Sequence, residues 1–168
     1  MPQRKTAPRA TPLRLTPGYA PPGTKPKLLP WAFAEQRLKT AKNYWICTTR
    51  PDRRPHAAPV WGLWLERSFF FSTDPDSRKA KNLKVRSDVV VHLESGDEVV
   101  IIEGVAEVVE LTPALDRAYA KKYGMRLVGF PAPMVIFEVR PRAIMAWREK
   151  AFPASATRWQ LTRKAQVD

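Results

Sequence analysis

A mainly β fold, a small closed or partly closed barrel carrying a few helices, follows from three features of the sequence. Short apolar segments rich in β-branched and aromatic residues recur along the chain. Most are joined by brief turns, which favours antiparallel neighbours. Only three windows have helical spacing. The chain has 168 residues, enough for one domain with a sizeable core and no staples.

Met1 to Pro30 holds eight of the 17 prolines and little periodicity. Residues 1–28 therefore read as a basic, flexible arm, disordered or extended, and 29–168 as the folded domain. Trp31 to Lys42 has helical spacing, with Pro30 suited to a helix start. "YWICTTR", the turn "PDRR" and "PHAAPVWGLWL" then predict strand, turn, strand, and "FFFST" follows after "ERS". A short helix opens at Ser77-Arg78-Lys79. "DVVVHLES", a turn at "GDE" and "VVIIEGVAEVVEL" predict two more strands, with Gly104 marking a bulge or bend. In "LTPALDRAYAKKYG", Thr112 suits an N-cap, Pro113 the first helical position and Gly124 the C-terminal cap. "MVIFEVRP" and "AIMAWRE" are expected as two strands, and "KAFPASATRWQL" as a tail.

Net charge is +13, but six basic residues and no acid fall in residues 1–30, which leaves 23 basic and 16 acidic residues for the rest. The folded part is thus moderately basic and suits anionic partners. A nucleic-acid-binding module is the reading this charge would feed. Against it, the aromatics lie inside strands and no nucleic-acid motif is present. The lone Cys47 excludes an internal disulfide framework and, within "YWIC", reads as a buried inert thiol. No apolar run reaches the roughly 20 residues of a membrane span, and no signal-peptide core precedes the domain, so a cytoplasmic location is expected. Two histidines and one cysteine are too few for a metal site. No Ser-His-Asp set, paired-carboxylate motif, glycine-rich nucleotide fingerprint or HExxH is present.

The helix start at Ser77 is the informative anomaly. Arg78 and Lys79 oppose the helix dipole there, and an anion would remove the conflict. Backbone N–H groups, the dipole and a cationic pair make a phosphate site, to which Ser72, Thr73 and Ser77 can add hydroxyls. An exposed helix start whose cations pair with Asp74 and Asp76 is the other reading. Lys81, Lys84 and Arg86 extend the positive face as solvated groups.

Four pieces in this order, "RPDRRPHAAPVWG", "FSTDPDSRKAKNL", "VVVHLESGDEVVIIEG" and "FPASATRW", resemble the pyridoxamine 5′-phosphate oxidase-like superfamily of flavin-binding split β-barrels. The branch most similar is that of F420-dependent (deazaflavin) oxidoreductases. The likeness spans about Leu29 to Leu161. It implies an FMN-binding-protein-like split barrel and an enzyme moving a hydride between F420, or alternatively FMN, and a small molecule. A non-catalytic flavin or F420 carrier is the further alternative. It implies a homodimer with cofactor sites at the subunit interface. On the matching positions, His56, Pro59, Val60, Trp61 and Gly62 line the ring and ribityl chain with Ser72 and Thr73. Ser77, Arg78, Lys79 and Asn82 hold the phosphate, while Trp147, Arg158 and Trp159 complete the partner's site. Of the aromatic pair, Trp61 is placed for the cofactor and Trp64 for packing, with Gly62 letting a flat ring approach. His92 reads as a hydrogen-bonded core or interface residue. The basic face near Lys79, Lys81 and Lys84 suits the polyglutamyl tail of F420, which tilts the choice of cofactor. Arg53 stands where a turn glycine is usual, which leaves that turn's shape open. No catalytic acid or base can be named.

Overall fold

The computed structural model describes residues 6–161. Nine strands form one sheet: β1 (Ala10–Pro12), β2 (Asn43–Thr49), β3 (Pro55–Trp61), β4 (Leu63–Leu65), β5 (Ser68–Thr73), β6 (Asp88–His92), β7 (Glu98–Val109), β8 (Val135–Arg148) and β9 (Thr157–Gln160). Three α-helices accompany them: α1 (Trp31–Thr40), α2 (Arg78–Val85) and α3 (Pro113–Tyr123). The sheet runs β3-β2-β6-β7-β8, all antiparallel. β8 then splits its free edge. Val135–Val139 pairs with β5, and Ala143–Ala146 pairs with β9. β5 pairs with β4, which continues β3 past Gly62, so the sheet curls shut into a split barrel.

The alternation of each strand decides what fills the barrel. Tyr44, Ile46, Phe69, Phe71, Val91, Ile102, Phe137, Val139 and Ile144 point inward and are buried. Trp31, Phe33 and Leu38 of α1 pack onto the same cluster. Trp64 lies there too, as expected for a packing residue. The outer faces of β4, β5 and the start of β8 are covered by α3, where Leu115 and Tyr119 meet Leu63, Leu127 and Ile136.

Two elements depart from the expectations above. The pair of strands expected around Pro141 is a single strand, β8. The register shifts between Glu103 and Gly104, and Pro141 stands opposite Gly104. A bulge tolerates a residue without an N–H. The bulge expected at Gly104 is therefore present, and a Cβ there would lie 2.5 Å from the Arg140 carbonyl. The tail after Lys150 contains β9, which carries β1 on its outer edge. The described part of the N-terminal arm is irregular, with turns at 17–20 and 22–23, and is tied to the domain by backbone hydrogen bonds. Beyond β1, Leu13 N–H donates to the Ala156 carbonyl at 2.9 Å and Lys27 N–H to the Ala154 carbonyl at 2.8 Å. The proline content hid a segment that covers a sheet edge. Residues 1–5 and 162–168 of the arm and domain lie outside the described residues.

Candidate functional site: a cationic cradle at the start of α2

Ser77 is the N-cap of α2, and its Oγ accepts from Ala80 N–H at 3.3 Å. It also shares a hydrogen bond with Thr73 Oγ1 at 3.1 Å. The first intrahelical bond runs from Lys81 N–H to the Ser77 carbonyl. The N–H groups of Arg78 and Lys79 thus have no acceptor within the helix. No acid stands in the first turn. Of the flanking acids, Asp74 accepts from Asp76 N–H at 2.6 Å and Asp76 pairs with Lys81 at 3.2 Å. Asp76 therefore pairs with Lys81, which was expected to be solvated, and among the described residues neither Arg78 nor Lys79 forms an ion pair.

The hairpin of β2 and β3 supplies the opposite wall. Thr48 is the register partner of His56, and its Oγ1 lies 3.5 Å from His56 Nδ1. The fully buried Asn82 of α2 donates from Nδ2 to Thr48 Oγ1 at 2.9 Å. Among the described residues, Asn82 Oδ1 and Arg50 Nε are buried with no hydrogen-bond partner. An unmet buried polar atom costs about 1–3 kcal/mol, and of these two the Arg50 Nε donor is the one an anion would satisfy, while Asn82 Oδ1 wants a donor. The field agrees. Burial, then Arg50, Lys79 and Arg78, push the His56 imidazole below its usual value. Burial also pulls the Lys79 ammonium down, opposed by Asp74. Arg50, Arg78, Lys79 and His56 gather here against Asp74 and Asp52, in a setting of free amides, an orphaned guanidinium nitrogen and hydroxyls. A phosphate group fits that set.

Residues 32–148 match the model of the pyridoxamine 5′-phosphate oxidase family. The chain belongs to this family. No curated protein matches the sequence. Among solved structures of similar fold are general stress protein 26 from Bacillus anthracis, an F420 reductase and a heme-binding protein from Mycobacterium smegmatis. The first is 20% identical with a TM-score of 0.57, covering 68% of this chain and 90% of that one. The F420 reductase is 23% identical with a TM-score of 0.53, covering 66% and 94%. The heme-binding protein is 16% identical with a TM-score of 0.59, covering 71% and 55%. At these identities they establish the fold, and the fold alone does not choose among such activities.

Within the family fold, the residues singled out in the sequence divide into three groups. Thr73, Ser77, Arg78, Lys79, Asn82 and His56 come together in the cradle. Pro59 and Trp61 lie on the outer face of β3, where Trp61 is 40% exposed and stacks on Tyr123 at 4.7 Å with planes 5° apart. The remainder are elsewhere. Val60 points into the barrel and is buried, the period-2 consequence of Trp61 facing out. Ser72 faces away from Thr73, under α3 beside Tyr119. Gly62 does admit a flat ring, but the ring is that of Phe69. A Cβ at Gly62 would overlap that side chain and lie 2.7 Å from the Phe70 carbonyl. Trp159 is fully buried against Trp31, ring centroids 5.6 Å apart, and cannot reach a partner subunit. Trp147 leans on Phe152, and Arg158 lies 3.5 Å from Glu103. The turn left open at Arg53 is left-handed, with φ at 68°. His92 stacks on Trp45 on the outer face of the sheet.

Thr48 and Arg50 were not anticipated. The signal was present, since Arg50 follows Tyr44, Ile46 and Thr48 at intervals of two and so shares their inward phase. A second group left unforeseen is the clamp at Gly62. Lys122 Nζ donates to Tyr44 Oη at 2.7 Å and to the Gly62 carbonyl at 2.9 Å. Tyr123 Oη accepts from Gly62 N–H at 2.9 Å. Burial pulls the Lys122 ammonium down to about 8 and pushes the Tyr123 phenol up to about 12. A groove of about 450 Å³ opens between the end of β7 and the start of β8 and is lined by Val109, Glu110, Leu111, Phe130, Met134 and Val135. Val135 is the register partner of Thr73.

Proposed function

We propose that this protein is an oxidoreductase that binds F420, or alternatively FMN, and moves a hydride between that ring and an apolar small molecule. The observation that carries the reading is the acid-poor corner where the unpartnered donor Arg50 Nε lies near the free amides of Arg78 and Lys79. The phosphate end of the cofactor belongs there. Arg78 offers a planar fork, Lys79 a point charge and Ser77 and Thr73 hydroxyls. Pro59 and Trp61, outside β3, form the wall for the ring. Lys79, Lys81 and Lys84 along α2 favour the polyglutamyl tail of F420 over the bare phosphate of FMN. The groove next to Thr73, largely lined by apolar side chains, takes the substrate. When bound, the ring system supplies the hydride chemistry. The chain's own residues bind, orient and shield.

A homodimer is part of the proposal. The outer face of β3, β2 and β6 carries Ala57, Pro59, Trp61, Trp45, Cys47 and Val90, a mainly apolar patch edged by Asp88 and His92. A second copy covering it would close the ring wall and bring Trp147 and Arg158 toward the partner's site. Light scattering reads this as a mass of two chains.

Titrating purified protein with F420 and with FMN, followed by visible absorption, tests the cofactor. A tenfold preference for F420, about 1.4 kcal/mol, is expected. Failure of both to bind would overturn the reading. The carrier alternative rests on one observation, that the cradle's titratable imidazole sits at the phosphate end. Bound cofactor that no candidate substrate reoxidises or reduces would favour it.

A further inference from the structure

We infer that the cradle takes up its anion together with a proton, and that His56 is the residue that carries it. The inference rests on the phosphate placement proposed above. Thr48 Oγ1 already accepts from Asn82 Nδ2 at 2.9 Å, so its own hydroxyl proton is available to His56 Nδ1, 3.5 Å away. That arrangement suits a neutral imidazole whose Nε2 carries the proton. On protonation Nδ1 becomes a donor, and the Thr48 hydroxyl can turn to accept it. One short polar chain thus serves both charge states.

The charges around the ring decide which state is held. Arg50 faces it from the end of β2, and Arg78 and Lys79 face it from α2. Asp74 acts on Lys79 from the segment before α2. In the turn between β2 and β3, Asp52 and Arg54 are occupied with each other at 2.6 Å. The surroundings of the empty cradle are therefore cationic, and with burial they keep His56 neutral near pH 7. A phosphate dianion reverses the sign of that field at short range. It makes the imidazolium the favoured form. His56 then adds a charged donor to a site that holds none of it beforehand.

The sign of the pH effect follows. The imidazole value lies below the ordinary one in the empty site and above it in the filled site. Between those two values binding takes up a proton, so affinity falls as pH rises. The phosphate monoester of FMN, with a second pKa of about 6, is already dianionic over the upper part of that range and does not mask the effect.

The test is FMN binding at pH 7.0 and 8.5 by wild type and His56→Gln, with F420 as the parallel probe, and calorimetry at pH 7.0 in two non-phosphate buffers of different ionisation enthalpy. Wild type should lose roughly three- to tenfold in affinity between the two pH values, the scale one linked proton allows, and should show net proton uptake. His56→Gln should bind more weakly at pH 7.0, with a flat profile and no uptake. Buffer-independent heats in wild type would overturn the inference without reference to any variant. Uptake retained in His56→Gln would also overturn it and assign the proton to Lys79. Binding without pH dependence sinks this inference alone. No binding of either cofactor at either pH sinks the cradle reading beneath it.

Discussion

Two helices of this fold begin in the same way and diverge within a turn. Both α2 and α3 open on a hydroxyl cap, Ser77 to Ala80 N–H and Thr112 to Leu115 N–H. α3 then follows every rule of a structural helix. Pro113 sits at its first position, Asp116 in its first turn, Lys121 and Lys122 in its last, and Gly124 closes it at a φ of 74°. Buried Asp116 accepts from Leu127 and Val128 N–H groups and pairs with Arg126, and the Val128 N–H foremost holds its carboxyl below the usual range. α2 has two cations in its first turn, no acid, and polar atoms around it that nothing satisfies. A helix that obeys the dipole is finished by its own chain. One that opposes it is left with donors that its own chain does not satisfy.

The contrast can be broken by asking where each side's damage appears. The largest effect should come at the clamp that α3 holds. Gly62→Ala forces a methyl onto the Phe69 ring and the Phe70 carbonyl, and should cost about 3 kcal/mol of stability in urea unfolding. An undiminished midpoint would mean the strand break at Gly62 is soft. On the α2 side, Lys79→Ala should weaken cofactor binding by roughly 1–3 kcal/mol, the scale of a charged hydrogen bond, with the melting temperature of the cofactor-free protein almost unchanged. Unchanged affinity would put the phosphate elsewhere.

The two caps sharpen the comparison further. Ser77→Ala and Thr112→Ala should each lower stability by about 1 kcal/mol, but only the first should also weaken cofactor binding. Equal effects on binding would erase the distinction between the helices. The smallest expected signal is a pH effect at the clamp. Lys122 is held near 8 when folded and returns toward its ordinary higher value when unfolded. Above pH 8 the unfolded chain binds more protons than the folded one, so this residue makes stability rise from pH 8 to about 9.5. Melting curves at those two values should show the rise in wild type and its loss in Lys122→Met. Half-exposure of the side chain keeps it small.

Much of this was legible because it depends on neighbours in sequence. Thr112, Pro113 and Gly124 framed α3, the glycine at 104 announced its bulge, and the anomaly at Ser77-Arg78-Lys79 pointed to the cradle. The misses share a cause. The strand at Ala10–Pro12 is proline-flanked and lacks alternation, so only the exposed edge of β9 makes it a strand. Ser72 and Val60 were placed at the cofactor by a resemblance that runs along whole strands, yet adjacent strand positions face opposite ways. Trp159 carries a motif residue's name and a core residue's surroundings.

By itself the sequence determined the local grammar: which windows alternate, where helices are capped, and that one helix start is electrically wrong for an empty site. Spacing and side-chain chemistry act over a few residues, so they can be read along the chain. Only the tertiary structure decided that Asn82 of α2 reaches Thr48 on β2 beside His56, and that the ring filling Gly62 is Phe69 across the β4–β5 turn. The first depends on α2 packing against β2, which joins positions 34 residues apart. No local pattern encodes which two inward faces will end up sharing a corner.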